Sequence, residues 1–384
     1  MTQIFIPAVF YRGGSSKGLF FHARHCPRDP AALDGMLLSA LGSPDPYGRQ
    51  LDGMGGGTSS LSKAVIIGPP THPDADVDYT FAQVAVDRPV VDWGANCGNL
   101  SSAVGPFAVD EGLVHAADGE ALVRIHQVNT KKIIHARFPV RNGKAVTAGD
   151  ATVDGVAGTG APIALDFLDP GGTVTSGLLP TGQVIERVEV DGRIFEMSLV
   201  DASNPVAFVA AEDAGLTGSE HPDAIEGNRE AMTLLDRLRR AAGVRMGLGS
   251  TPDGVGLANP KIAVVSAPAP FVTLDGRAVG GEAQDIAIRM LSMERAHRAV
   301  TLTGAMCLAV TCRIEGSLPH RLCSRDAGTQ AIRIGHPSGI VAAGATVFPH
   351  GEGWHVESGR VYRTARRLMQ GEVAVAPFDG EGKP

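Results

Sequence analysis

No stretch of this sequence is apolar over the length needed to cross a bilayer, and the apolar run Ile4–Tyr11 is broken by Pro7. No basic n-region precedes that run, so neither a signal peptide nor a membrane anchor is expected. Cysteine is scarce: five residues, at 26, 97, 307, 312 and 323, odd in number and without a C-x-x-C spacing. This argues against a disulfide framework and a cysteine-based zinc site, and fits a reducing cytoplasm. A basic stripe is also missing. Thirty-four Lys and Arg against 41 Asp and Glu leave a formal net charge of −7, which speaks against nucleic acid as a partner. Nucleotide-binding loops are absent as well. No Gly-Lys-Ser/Thr closes a Walker A loop, and Gly158-Thr159-Gly160 runs into Ala161-Pro162, a turn and not a dinucleotide fingerprint.

What is present is an ordinary globular composition, with 43% hydrophobic, 20% charged and 5% aromatic residues. At 384 residues the chain exceeds the usual size of one core, so two domains are expected. The 49 glycines cluster in short loops, a pattern of tight turns and close backbone approaches. Gln3–Tyr11 reads as a first strand, Leu19–His22 as a second, and Pro30–Leu41 as a helix with Pro early and Gly42 at its end. Further strands are expected at Ala64–Ile67, Tyr79–Val86, Leu122–Val128 and Lys132–Val140. Asp191-Gly192 marks a hairpin between Val184–Val190 and Arg193–Val200. The second half offers helices near Asp223–Ala242, Glu282–His297 and Gly304–Ile314, then strands through Ile340–Val347 and Gly359–Ala376. The Gly-, Thr- and Pro-rich stretch Gly171–Thr181 is the expected domain boundary, giving domains over 1–180 and 181–369. Asn96-Cys97-Gly98-Asn99 and Thr303-Gly304-Ala305-Met306 take corresponding places in the two halves.

The segment Trp93-Gly94-Ala95-Asn96-Cys97-Gly98-Asn99-Leu100-Ser101-Ser102 carries the strongest chemical signal. It puts one thiol at what reads as the first turn of a helix, where the dipole and unpaired amides favour negative charge. The plainer account makes Cys97 a small buried hydrophobe. The second signal is Gly53-Met54-Gly55-Gly56-Gly57-Thr58-Ser59-Ser60-Leu61-Ser62-Lys63, dense in N–H and hydroxyl donors for an anion. Lys63 then enters an apolar strand. A lysine partly withdrawn from water can act as a base, while local sequence alone favours a snorkelling surface lysine at a strand edge. Arg12 and Lys17 bracket a Gly/Ser turn that could hold a carboxylate, or could be solvated surface. His336-Pro337-Ser338-Gly339 is another such turn, with a hydrogen-bonded loop histidine as the simpler account of His336. Cys307 and Cys312 lie on an apolar helix and read as core.

Taken in order, Arg12-Gly13-Gly14-Ser15-Ser16-Lys17-Gly18, Gly42-Ser43-Pro44-Asp45-Pro46-Tyr47-Gly48, Asp52–Lys63 and Asn96–Ala108 resemble the PrpF family. Arg245-Met246-Gly247 and Gly335-His336-Pro337-Ser338-Gly339 continue the match along nearly the whole chain. That family includes 2-methylaconitate cis-trans isomerase, 3-methylitaconate isomerase and 4-oxalomesaconate tautomerase. The resemblance implies an α/β fold of the α+β kind, diaminopimelate-epimerase-like. Two similar domains each wrap a curved, mostly antiparallel sheet around a central helix, with the active site in the cleft between them. It also implies that the last strand, near Val373–Pro377, returns to the first domain. By position Lys63 and Cys97 fall on the family's acid/base pair, and loops 12–18, 56–60 and 96–100 on its carboxylate-binding segments. Two places depart from the family. Val200-Asp201-Ala202-Ser203-Asn204-Pro205 replaces the Asn-Gly-Met-Pro turn of the tautomerase branch, and Gly249–Asn259 is unlike the methylaconitate isomerases.

The expected reaction moves a double bond, or interconverts cis and trans forms, in a small unsaturated di- or tricarboxylate. Lys63 and Cys97 would exchange an allylic proton, without a metal or a nucleotide cofactor. Carboxylates would be held by Arg12, Ser16, Lys17, Gly56, Thr58, Ser59, Ser60, Asn96, Gly98, Asn99 and Leu100. Thr303, Gly304, His336 and Ser338 would serve likewise in the second half. The expected partner is this small anion, and a homodimer stays open. Two rivals are a two-cysteine racemase or epimerase on the same fold, which needs a thiol such as Cys307 opposite Cys97, and a carboxylate-binding protein without catalysis.

Overall fold

The computed structural model describes residues 2–94, 97–153, 155–257, 259–292, 295–324, 331–351 and 353–377. Two compact units emerge, Met1–Leu165 with Tyr362–Pro384, and Asp166–Val361. The boundary expected at 171–181 thus moves to residue 165, for a reason visible in that loop. Buried Asp201 accepts hydrogen bonds from Thr173 Oγ1 (2.6 Å) and from the amides of Val174 and Thr175 (both 2.8 Å), which ties the Gly/Thr-rich stretch to the second unit.

In the first unit β1 (Ile4–Gly13) and β2 (Ser16–His22) form an antiparallel hairpin with Arg12 opposite Lys17. α1 (Pro30–Leu41) begins where Asp29 accepts from the amide of Ala32 (2.8 Å) and ends at Gly42, whose φ of 72° suits glycine. β3 (Lys63–Gly68) lies parallel to β2, β4 (Val77–Val84) antiparallel to β3, and the short β5 (Val91–Asp92) against β4. After α2 (Gly98–Asp110) come β6 (Gly119–Gln127), parallel to β4, then β7 (Lys132–Arg141) and β8 (Lys144–Ala145).

Successive strand residues face opposite sides of this sheet. Phe10, Leu19, Phe21, Ala64 and Ala82 join Met36, Leu37, Ala40 and Leu41 of α1 in one core. The other face curves around α2, whose residues from Leu100 to Val109 are all buried. Phe107 meets the rings of Phe20 at 5.7 Å and His22 at 5.1 Å. Small residues permit this closeness: a Cβ on Gly105 would lie 2.6 Å from the Phe138 ring.

β9 (Ile163–Leu168) carries the chain across the unit boundary. In the second unit β10 (Glu186–Val190) and β11 (Arg193–Asp201) join through Asp191 and Gly192, at φ 52° and 75°, which match the right-handed twist of the strands. β12 (Pro205–Ala210) follows antiparallel to β11. The single helix expected over 223–242 is two, α3 (Pro222–Gly227) and α4 (Arg229–Arg245), because Asn228 ends one and caps the next by accepting from the amide of Ala231 (3.1 Å). β13 (Lys261–Ser266) lies parallel to β12. β14 (Phe271–Val272) and β15 (Ala278–Val279) form a small separate pair.

β16 (Ile286–Ser292), antiparallel to β13, and β17 (Arg295–Ala296) occupy the place of the helix expected over 282–297. That expectation was wrong. Ile286 to Leu291 is buried on both faces, which erases strand alternation and leaves an apolar run that looks like a buried helix. α5 (Leu302–Thr311) and α6 (Leu318–Leu322) precede β18 (Ile332–His336), which runs parallel to β16. β19 (Gly339–His350) and β20 (Gly353–Arg363) continue antiparallel. β21 (Ala365–Val375) then pairs with β1, Val375 opposite Ile4, so the chain's last strand belongs to the first unit.

The units repeat one plan, β1-β2-α1-β3-β4-β5-α2-β6-β7 against β11-β12-α3/α4-β13-β16-β17-α5-β18-β19, with antiparallel and parallel pairings in the same order. This is the duplicated architecture that the resemblance implies. Among the described residues no helix is long and apolar enough to cross a membrane. Phe107→Ala, which empties the space between α2 and the sheet, is expected to cost about 3–5 kcal/mol of stability, read as a lower midpoint in chemical denaturation.

Candidate active site

A helix buried on all sides exposes chemistry only at its ends, where backbone groups lack helical partners. Cys97 is the N-cap of α2, and its sulfur accepts from the amide of Leu100 at 3.5 Å. Its carbonyl is held in turn by Tyr79 Oη (3.3 Å) and Ser101 Oγ (3.1 Å). Burial, and then the nearby thiol of Cys97, push the Tyr79 phenol well above its ordinary pKa, so it stays a donor. The amides of Gly98 and Asn99 stand beside the thiol at the positive end of the helix. Asn96 lies outside the described residues.

Asn99 packs over the β1–β2 turn, where its amide nitrogen donates to Ser15 Oγ (3.2 Å) and its oxygen accepts from Arg363 Nε (3.2 Å). The two glycines of the turn are there for this contact. A Cβ on Gly13 would lie 2.7 Å from Asn99 O, and one on Gly14 2.3 Å from Asn99 Oδ1.

Lys63, the first residue of β3, neighbours Ala64 of the α1 core and so faces the opposite side, that of α2. Its ammonium donates to Gln83 Oε1 (2.5 Å) and lies 4.9 Å from the centre of the Phe81 ring. Tyr79, Phe81 and Gln83 alternate along one face of β4. That row therefore serves both the Cys97 carbonyl and the Lys63 ammonium. Gly18 closes the gap from the other side, since a Cβ there would sit 2.7 Å from Lys63 O and 3.0 Å from Leu100 Cδ1.

The loop over Gly56, Thr58, Ser59 and Ser60 is placed by two amide side chains. Gln83 Nε2 donates to Ser59 O (3.1 Å) and Ser62 O (2.9 Å). Buried Gln50 donates to Ser43 Oγ (2.9 Å) and Ser62 Oγ (2.7 Å), and accepts from the amide of Gly57 (3.0 Å). Thr58 and Ser60 bond to each other through their hydroxyls (3.1 Å), and Ser60 O accepts from the amide of Lys17 (3.0 Å).

Not every expected residue joins this face. Buried Ser16 does, by alternation with Gly18. Arg12 and Lys17 are a cross-strand pair on the face of Phe10 and Leu19, and the Lys17 ammonium lies 5.7 Å from the Phe10 ring. Arg12 Nη1 donates to Gly14 O and Thr364 O (both 2.9 Å), which makes it a brace for the turn. In the second unit Thr303 and Gly304 lie in the first turn of α5. His336 ends β18 and accepts from the amide of Ser338 (3.2 Å), whose hydroxyl donates to Arg298 O (2.5 Å). Tyr79, Gln83 and Gln50 were missed. Their period-two placement on β4, and a polar residue amid the glycines of the 42–62 loop, were the available signals. Among the described residues no three His, Cys, Asp or Glu side chains gather as a metal site would require.

The sequence profile of the PrpF protein family matches residues 3–376. The chain belongs to the PrpF family. It is 40% identical to a 3-methylitaconate isomerase of Eubacterium barkeri over 97% of this chain and 98% of that one. It is also 40% identical to a 2-methyl-aconitate isomerase of Cupriavidus necator, with 98% of each covered. A solved methylitaconate-delta-isomerase shares the diaminopimelate-epimerase-like fold, with a TM-score of 0.91 at 37% identity over the whole of both chains. These relatives are isomerases, and so is this enzyme. That removes the reading as a binding protein without catalysis.

Within this PrpF isomerase the caps of the two central helices correct the expected correspondence. Thr301, not Thr303 or Gly304, stands where Cys97 does. Its Oγ1 accepts from the amide of Gly304 (3.0 Å), three residues on, as the Cys97 sulfur accepts from Leu100. Cys307 is fully buried and points its thiol at Val200 O (3.5 Å), and burial pushes that thiol up to about 12. The two-cysteine alternative thus lacks its second thiol at the cap. Gln83→Leu keeps the size of the side chain but releases both Lys63 and the 59–62 backbone. It is expected to lower kcat roughly 10²-fold in steady-state assays while the circular-dichroism spectrum stays unchanged.

Proposed function

We propose that this enzyme isomerises a small unsaturated di- or tricarboxylate of the methylaconitate, aconitate or oxalomesaconate type, by allylic proton transfer between Lys63 and Cys97 and without a cofactor. One observation carries the reading: an ammonium and a thiol face the same side of one sheet, joined by the row Tyr79, Phe81, Gln83, beside the amide-rich start of α2. The substrates named for the relatives, methylitaconate and methylaconitate, favour the same class.

The chemistry balances without any other reactant. One of the two groups, in its basic form, removes an allylic proton, and the electron pair left behind moves through the double bond into the conjugated carboxylate or carbonyl as a dienolate. The other group, in its acidic form, returns a proton to the far carbon, and the double bond ends one position along. The two roles exchange in the reverse reaction. First-turn amides of α2 and the 56–60 loop would hold the carboxylate where negative charge grows. Placed acid/base groups typically supply on the order of 10²–10⁴ in rate each.

The test is an NMR screen in D₂O of cis- and trans-aconitate, 2-methylaconitate, itaconate-type acids and oxalomesaconate. Double-bond migration with deuterium at the new position is the expected result. Lys63→Met and Cys97→Ser should each lower turnover at least ~10²-fold. Full turnover in either variant, or no exchange into any of these acids, would sink the reading.

A further inference from the structure

Beside the candidate site the sheet of the first unit has a gap, and one side chain fills it. We propose that Asn129 is a positioning residue for the isomerisation, setting where the Cys97 thiol stands against the Lys63 ammonium; the proposal rests on the roles given to those two groups above.

The gap follows from register. β3 covers one edge of β4 over residues 78–83. The other edge is shared: β6 pairs with residues 77–79 and β5 with Gln83 and Val84. Among the described residues no strand pairs with residues 80–82 on that side. Phe81 is buried there, and its backbone groups need partners.

Asn129, in the turn after β6, supplies them. Its Oδ1 accepts from the Phe81 amide (2.8 Å) and its Nδ2 donates to Phe81 O (2.9 Å), so the side chain pairs with Phe81 as a strand residue would. The same Nδ2 donates to Trp93 O (2.6 Å), one residue past β5 and four before Cys97. Buried Gln127 donates to Asn129 Oδ1 (2.6 Å) and accepts from the amide of Thr130 (2.7 Å), which fixes how the Asn129 amide is turned. Two bonds given and two accepted use the full capacity of an asparagine side chain. A turn asparagine commonly bonds to its own neighbours. This one bonds to residues 48 and 36 positions away.

Both reacting groups connect to this side chain. The Phe81 ring lies 4.9 Å from the Lys63 ammonium, between Gln83, which holds that ammonium, and Tyr79, which holds the Cys97 carbonyl. Trp93 begins the segment that leads to Cys97, and its indole Nε1 is anchored to Asp34 of α1 (2.9 Å). Asn129 thus ties the row under Lys63 to the segment that carries the thiol. Proton transfer between two carbons needs both groups in one geometry, and a misplacement of about 1 Å costs on the order of 10²-fold in rate. Loss of Asn129 falls on the chemical step and not on binding.

The test uses Asn129→Asp, which keeps the shape but sets an acceptor against two carbonyls, and Asn129→Ser, which removes the donor without adding charge. The assay acid is the one of the screen that the unaltered enzyme isomerises. Both variants should lower kcat about 10- to 100-fold, with KM and the calorimetric Kd for propane-1,2,3-tricarboxylate within about threefold. Hydrogen exchange read by mass spectrometry should quicken over residues 97–100 and hold in the second unit. Asn228→Ala, which removes the cap of α4 in that unit, controls for lost stability: it should lower the thermal midpoint and leave kcat unchanged. A kcat within about threefold of the unaltered enzyme in both variants would overturn the assignment. So would unchanged exchange over 97–100, a loss confined to KM, an equal fall of kcat in Asn228→Ala, or failure of both Asn129 variants to fold. If the unaltered enzyme isomerises and the variants match it, only this inference fails. If it isomerises no acid of the screen, the isomerase reading fails and takes this one with it.

Discussion

The constraint on which the first unit depends is the burial of α2. A helix enclosed by a curved sheet has no lateral face left for solvent, so its unpaired backbone groups are concentrated at its two ends. At the N-terminal end those groups are amides, and they favour a negative partner. Cys97 stands there as the cap, at 7% exposure, with its carbonyl fixed by Tyr79 and Ser101. The requirement for close approach explains the small residues around it. Gly13, Gly14 and Gly18 leave no room for a Cβ against Asn99, Leu100 or the Lys63 backbone.

The same enclosure is built twice with different chemistry at the cap. α5 is also buried along its length, and Thr301 closes it through the bond that Cys97 makes in α2, to the amide three residues on. A hydroxyl caps a helix better than a thiol does, because oxygen is the stronger acceptor. Holding a sulfur at the α2 cap therefore sacrifices some local stability. The cation at the start of the third strand of each repeat, Lys63 or Lys261, is common to both.

Local signals were strong enough to mark several elements. α1 was legible to the residue because Asp29, Pro30 and Gly42 each have a separate reason to start or stop a helix. The Asp191-Gly192 hairpin was legible because only such a pair tolerates two successive positive φ angles. Failures came where burial on both faces removes the pattern. Ile286–Ser292 carries a mostly apolar run with no strand period, a pattern equally at home in a buried helix. The cap of α5 was misplaced by two residues because Thr301 and Thr303 are the same residue type, and only the bond to Gly304 separates them.

Family and fold class could be read from the chain, since motifs of ten residues keep their order whatever the folding does. Which way each side chain points could not. Arg12 and Lys17 sit in the motif that looks most like an anion loop, yet hairpin register turns them to the α1 face. Gln83 and Tyr79 carry no motif at all, yet they hold the ammonium and the cap. The physical reason is that a strand's faces differ by a single residue of register. Register is set by pairing between segments far apart in sequence, which no local pattern encodes.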